Sequence, residues 1–359
     1  MKFDRLFFDA RFIRLTHHDG ISRFSVGLIN ALAKRVPVTA IVYDERQLLE
    51  LDPSVEHVFA NDPAKPSEPR VAKLLNPTGA QVVYSPMSTT GSAGRKYKLV
   101  LSQHDLIYYR HRKPPTDLSL WLQLLWRAFH LAYWPQRILL NRADGLVTVS
   151  ETSKRLLKQH RLFKGEIAVV FNAAGSESKP ATKPIEFAKR NKVTYIGSYM
   201  PYKNVETLIA AIAELPELEL HLLSKPSAER KAELMKNAGD ATDRIVWHGG
   251  VSDEQYAEIL AESLVLATAS FDEGFGIPVI EAQSQGIPTV ISDIEIFHEI
   301  GGEAARYFDP SKPAELAAQI RRLQSEPEWR AASAASLQNA KRFNWDESAQ
   351  ALLDYLAEL

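Results

Sequence analysis

Short apolar runs alternate with helical stripes along almost the whole chain. In the first half the runs are LFFDARFI (6–13), VTAIVYD (38–44), QVVYS (81–85), KLVLSQHD (98–105), GLVTVS (145–150) and IAVVF (167–171). Several are nearly continuous rather than alternating in polarity, as expected of strands buried on both faces of a parallel sheet. Ile21, Phe24, Leu28, Ile29 and Leu32 recur at helical spacing and predict a helix over 21–36. The stretch NAAGSESKPATKPIEFAKRN (172–191) interrupts the alternation with Gly, Ser, Pro and Lys and reads as a linker. The alternation then restarts. Strands are predicted at 192–198, 218–224, 244–250, 264–270, 289–293 and 305–309, and helices near 205–215, 227–238, 253–263 and 278–285. Ser252 with Gln255, and Asn344 with Glu347, have the spacing of capping boxes at helix starts.

Two successive βα alternations predict two doubly wound α/β domains. The expected division is 1–175 and 192–343, joined by a linker at 176–191 and followed by a C-terminal segment, 344–359. A length of 359 residues fits two cores better than one. Ligands of such sheets bind at the carboxyl ends of the strands, so two facing domains would form one cleft.

Composition removes some chemistries. There is no cysteine, which excludes disulfides and thiolate metal sites. The start, MKFDRLFFDARF, is too interrupted by charge to read as a signal peptide, and a cytoplasmic location is expected. The run LSLWLQLLWRAFHLAYW (118–134) contains Gln123, Arg127 and His130, too short and polar to span a bilayer. It reads as a helix lying in or on a domain. The net charge of −1 conceals an asymmetry: residues 95–164 carry 14 Lys and Arg against four Asp and Glu. That segment suits an anionic partner, whether a phosphate ligand, an acidic lipid surface or nucleic acid, or it is a solvated basic face. Trp121, Trp126 and Trp134 within it fit either docking on an anionic membrane or a core helix with its tryptophans inward.

Four places could carry chemistry. In FDEGFGIPVIEAQSQG (271–286), a strand gives way to a glycine-containing loop, Pro278 stands where a helix should begin, and Gly286 stands where it should end. Glu273 then lies on the loop and Glu281 in the first helical turn, beside amides that suit an anion. The two carboxylates read either as a catalytic pair or as two levels of one binding site, and Glu281 alone could serve the helix dipole. In GSYMPYKNVETL (197–208), Gly197 ends a strand, Asn204 is a candidate N-cap, and Lys203 projects near a helix start, either toward a phosphate or into solvent. In HHDGISRF (17–24), Gly20 opens a helix and either approaches a phosphate or simply makes a turn. In SQHDLIYYR (102–110), His104 and Asp105 come at a strand's carboxyl end, where ligand residues gather.

These segments, in this order, resemble retaining glycosyltransferase family 4, of GT-B fold, and SDIEIFHEIGGEAARYFDP (292–310) resembles its mannosyl- and rhamnosyltransferase branch. The most specific likeness is Glu273 and Glu281 in EGFGIPVIEAQSQGIPTVISD, which matches the E-x7-E signature; HDGISRF, HDLI, LVTVSETSKRLL, GSYMPYKNVETLI and FNWDESAQALLDYL add support across nearly the whole chain. The resemblance implies that Glu281 meets the nucleotide ribose and Glu273 the donor sugar. It also implies that Lys203 and the Gly20 amide hold the diphosphate and that His104 contacts the transferred sugar. Glu273, His104 and Lys203 would be catalytic. Gly20, Gly197, Ser198, Lys203, Asn204, Val251, Gly274, Phe275, Gly276, Ile277 and Glu281 would bind the nucleotide sugar. The terminal helix, 345–358, would cross back to the first domain. No cofactor and no metal are expected, because lysine and helix dipoles would stabilise the leaving group.

The chain departs from the pattern in lacking an arginine at Ser198, Tyr199, Met200, Pro201 or Tyr202, and in placing Asp19 where a glycine often precedes Gly20. The implied reaction is transfer of a hexose, best matched by mannose from GDP-mannose, to a glycan or lipid-linked acceptor, with an anionic membrane surface as a further partner and no nucleic acid. A UDP-sugar transferase and a non-catalytic sugar-nucleotide-binding protein are the alternatives. A glycoside hydrolase would also need two carboxylates, roughly 5–10 Å apart.

Overall fold

A computed structural model describes residues 3–15, 19–114, 119–175, 187–236 and 238–359. The chain packs as two compact units: Met1–Ala173 with Asn344–Leu359, and Ala174–Phe343. Most of the expected linker, at 176–186, lies outside the described residues, as do His17 and His18 of the first glycine motif and Leu118 of the tryptophan-bearing run.

Among the described residues, unit 1 is built on seven parallel strands: β1 (Leu6–Asp9), β2 (Val38–Val42), β3 (Glu56–Phe59), β4 (Val82–Ser85), β5 (Lys98–Ser102), β6 (Gly145–Thr148) and β7 (Ile167–Val169). Their order is β3-β2-β1-β4-β5-β6-β7, so the direction of winding reverses between β1 and β4. The apolar runs form the strands because both sheet faces are covered: β1, β2, β4 and β6 are buried at every position. The run from Leu6 to Ile13 is shorter as a strand than expected. β1 stops at Asp9 and the chain turns through a short 3-10 segment, Ala10–Phe12. β3 was not apparent in the apolar pattern. It is an edge strand of sequence EHVF, largely exposed, and charge at an edge discourages further strand pairing.

The helix Gly20–Ala33 packs against the C-terminal helix Trp345–Glu358. Contact there is close: a Cβ placed on Gly27 would lie 2.2 Å from the Trp345 ring, and Phe24 meets the same ring edge-on at 5.9 Å. Leu352, Leu353 and Leu356 are buried in the terminal helix. Asn344 caps it by accepting from the Glu347 amide, which is the Asn side of the expected capping box. The run after residue 118 is two helices rather than one, Leu120–Phe129 and Trp134–Leu140.

Unit 2 carries, among its described residues, six parallel strands: β8 (Lys192–Tyr195), β9 (Glu219–Leu222), β10 (Ile245–Trp247), β11 (Ser263–Thr268), β12 (Thr289–Ser292) and β13 (Arg306–Phe308). The order β10-β9-β8-β11-β12-β13 is the doubly wound arrangement, with its reversal between β8 and β11. Leu220, Leu222, Val265 and Val290 from the strands meet Leu208, Ile212 and Leu316 from the covering helices in one continuous core. The Ser252–Gln255 capping box is present in both directions and starts the helix Asp253–Glu262.

Candidate functional site

In unit 2 the loops after β8 and β11, the two strands flanking the reversal, are laced together. The Phe271 amide donates to the Tyr202 carbonyl at 2.8 Å. Lys203 Nζ then lies 2.5 Å from Glu273 Oε1, and Ser270 Oγ donates to the same oxygen at 3.0 Å. Both side chains of the ion pair are 15% exposed or less, so it is shielded yet reachable. Lys203 Nζ also sits 5.3 Å from the centroid of the Tyr202 ring. Burial and the Glu273 carboxylate together push the Tyr195 hydroxyl well above its ordinary range, so it stays a donor, to the Ser198 carbonyl at 2.7 Å.

Asn204 corrects one expectation. It does occupy the N-cap position of the helix Val205–Ala213, but at φ 51° and ψ 46°, with no side-chain cap bond. Its Nδ2 instead donates to the carbonyls of Ala269 (3.1 Å) and Pro310 (2.7 Å), and its Oδ1 accepts from Thr207 Oγ1. A left-handed backbone turns the side chain inward, where one amide fastens the loops after β8, β11 and β13. Asparagine tolerates that conformation better than most residues.

The helix after β11 is Ile277–Ser284, with Gly276 as its N-cap residue and Gly286 beyond its end at φ 73°. Helix numbering therefore starts one residue earlier than expected, and Glu281 falls in the second turn, not the first; it is buried. Gly276 has φ 98°, and a Cβ there would lie 2.8 Å from Phe297 Cε1. Glycine is required on both counts. Gly274 and Phe275 are buried, with Phe275 packed edge-on against Phe343 at 5.7 Å, and Ile277 is half-buried as the first helical residue. On the β8–β9 side, the Gly197 amide donates to Ser224 Oγ at 3.2 Å, Ser198 is exposed, and Val251, after β10, packs on the cluster of Leu223, Tyr256, Leu260 and Ala282.

No arginine stands at 198–202, but one reaches that loop from a later helix, a contact that no local motif announces. Arg230, from the helix Ala228–Met235, donates through Nε to the Tyr199 carbonyl at 3.0 Å. Glu206 (2.6 Å) and Glu233 (2.8 Å) occupy its terminal nitrogens, so it braces the loop.

In unit 1, Gly20 is the first residue of its helix and exposed. Asp19 is the N-cap, accepting from the Ser22 amide and hydroxyl at 2.9 Å each and pairing with Arg14 at 2.6 Å. The Ser22 amide of the first turn is thus taken by Asp19, while the Gly20 and Ile21 amides have no carbonyl partner within the helix. His104 follows β5. Its Nε2 lies 2.8 Å from the Pro86 carbonyl, and its ring meets Phe24 edge-on at 5.2 Å. Burial pulls the imidazole below its ordinary range, against the opposing pull of the Pro86 hydrogen bond and of Asp105 and Asp19. The neutral ring then donates from Nε2 to Pro86 and keeps an acceptor lone pair on Nδ1.

Sequence spacing missed a buried network at the reversal of this sheet. Arg11 pairs with Asp9 at 2.7 Å and with Glu68 at 2.7 Å, and its guanidinium is fully buried. Asp9 also accepts from Thr90 Oγ1 at 2.9 Å, which bonds to Ser85 Oγ at 2.6 Å. This network ties the carboxyl ends of β1 and β4 to the loops at 61–70 and 86–91 and so fixes the segment containing Pro86, the partner of His104.

Comparison with known proteins places this arrangement. Residues 18–174 match the family model Glycosyltransferase Family 4, and residues 179–342 match Glycosyl transferases group 1. Two Rossmann-like units carrying these matches make up the GT-B fold. The chain belongs to glycosyltransferase family 4 and is mannosyltransferase-like. It is 30% identical to O-antigen chain mannosyltransferase B of Escherichia coli over 48% of this chain and 47% of that protein. It is also 30% identical to the MMP alpha-(1->4)-mannosyltransferase of Mycolicibacterium hassiacum, over 64% of this chain and 57% of that one. The matches thus span roughly half the length of these two relatives. Among solved structures, sucrose-phosphate synthase from Thermosynechococcus elongatus aligns over 99% of this chain and 98% of its own at TM-score 0.77 and 18% identity. Anabaena HepE in complex with UDP and glucose aligns over 99% of this chain and 100% of its own at TM-score 0.71 and 16% identity. At these identities the likeness concerns the fold.

Proposed function

We propose that the protein transfers a hexose from a nucleotide diphosphate sugar, with retention of anomeric configuration, to a glycan or lipid-linked acceptor in polysaccharide or glycolipid synthesis. The observation that carries this reading is the Lys203–Glu273 pair at the reversal between β8 and β11, beside the glycine-capped helix Ile277–Ser284. In doubly wound sheets that reversal is where nucleotides bind. Lys203 would neutralise the diphosphate leaving group, with the amides at the Ile277 end of the helix as further donors. Glu273 would meet the sugar and Glu281 the ribose. With Lys203 supplying the charge, the reaction would run without a metal, and turnover should persist in a chelator.

The mannosyltransferases among its relatives support mannose, carried as GDP-mannose. A UDP-sugar is the second reading, favoured by HepE, whose structure holds UDP and glucose. Calorimetric titration with GDP and with UDP separates the two. Lys203→Ala should lower turnover about 100- to 1,000-fold, the scale for losing one preorganised donor to leaving-group charge. Normal turnover in Glu273→Ala would sink the site assignment. His104→Ala should lower turnover while leaving nucleotide affinity intact. NMR of the first-formed product tests retention, and nucleotide binding without turnover on any acceptor would point to a sensor instead.

A further inference from the structure

The two helices Leu120–Phe129 and Trp134–Leu140 leave much of their apolar surface exposed, although Leu140 is buried in the core and Phe129 packs partly against it. The first has no buried residue at all. Leu120 is 80% exposed, Trp121 68% and Trp134 62%, and Leu124, Leu125 and Leu131 are more than half exposed. Trp121 and Trp134 therefore do not face a core, while Trp126 is half-buried against Tyr108 and His130. Apolar exposure concentrated in so short a stretch marks an interaction surface. From Ser119 to Ala143 the sequence contains no Asp or Glu, while Arg127, Arg137 and Arg142 lie within it and Arg110, Arg112 and Lys113 precede it. Arg127, Arg112 and Lys113 are exposed.

We propose that this surface docks in the interfacial layer of an anionic lipid bilayer. Tryptophan and leucine with a basic rim, and no acidic residue from Ser119 to Ala143, are the composition that settles at headgroup depth, the rings in the acyl boundary and the arginines against lipid phosphates. No helix among the described residues is long and apolar enough to cross a membrane, so the helices lie on the bilayer rather than through it. A second copy of the chain fits worse. A symmetric contact would set the same arginine-rich rim against itself with no carboxylate from this stretch to compensate it. The docking site is separate from the residues assigned above to donor binding, so its test does not depend on that reading.

The test is co-sedimentation of the full chain with vesicles of phosphatidylcholine containing phosphatidylglycerol, against phosphatidylcholine alone. Wild type should bind the anionic vesicles and release with rising salt. Trp121→Ser with Leu125→Ser should lower partitioning about tenfold or more, by loss of buried apolar surface. Lys113→Glu with Arg127→Glu, which leaves the apolar face intact, should also lower it at least about tenfold. Both variants should keep the wild-type melting temperature and turnover on a water-soluble acceptor. Absence of binding, equal binding to neutral vesicles, or a solution dimer that the first variant splits would overturn the proposal.

Discussion

Asn204 concentrates several demands in one side chain. It adopts a left-handed backbone, reaches two carbonyls, and holds Thr207. Asn204→Ala would orphan the carbonyls of Ala269 and Pro310 and leave a Cβ residue in the left-handed region. The expected loss is about 2–4 kcal/mol, read as a lower urea midpoint. A midpoint within a few tenths of a molar of wild type would show that the loops do not depend on this amide. Histidines make a second residue-scale prediction. His104, His221 and His248 are each held below the ordinary range, chiefly by burial. The unfolded chain then binds protons that the folded one refuses, so stability rises with pH. It is complete above the unfolded value of about 6.5 and is lost as the pH falls through the depressed ones. The urea midpoint should drop from pH 7.5 toward about pH 5.5, and His104→Asn should flatten part of that drop.

Among elements, the turn into the helix Ile277–Ser284 was the most legible feature of the site. Glycine, proline and glycine at 276, 278 and 286 each serve the backbone conformation that their chemistry favours, which is why sequence located the helix to within a residue. Gly276→Ala forces both a strained φ and a clash with Phe297. It should lower the melting temperature and weaken nucleotide binding, and a variant that melts lower but binds normally would separate the turn from the site. The buried trio of Asp9, Arg11 and Glu68 was illegible for the opposite reason. Glu68 reaches Arg11 from 57 residues away, and no spacing encodes such a meeting. Removing one member strands the others' charge in the interior. Arg11→Ala should cost about 3–5 kcal/mol in urea unfolding, whereas an exposed pair such as Arg330–Glu326 should cost under about 1 kcal/mol. The helix Glu326–Ala340 buries only Ser336 among its residues, so it offered no stripe to find. For the tryptophan helices the pattern itself was ambiguous, because an apolar run looks alike whether it faces a core or a bilayer.

At the scale of the molecule, the boundary between compact units does not follow the order of the chain. Residues 344–359 close the core of unit 1, with Trp345 against Gly27 and the Tyr355 hydroxyl donating to the Glu166 carbonyl at 2.8 Å. Removing them should therefore lower the melting transition of unit 1 and spare that of unit 2, which a nucleotide added to the truncated chain would still raise. Scanning calorimetry with and without GDP checks both halves of this expectation. The same feature sets an order of events at the ribosome. All of unit 2 emerges before the helix that completes unit 1. Until it emerges, the nascent chain holds a seven-stranded sheet with the Phe24–Gly27 groove open to water, while unit 2 has its whole sequence in hand. Unit 2 is then free to mature first, and ribosome-bound chains stopped at Phe343 should show protease resistance in unit 2 and sensitivity in unit 1.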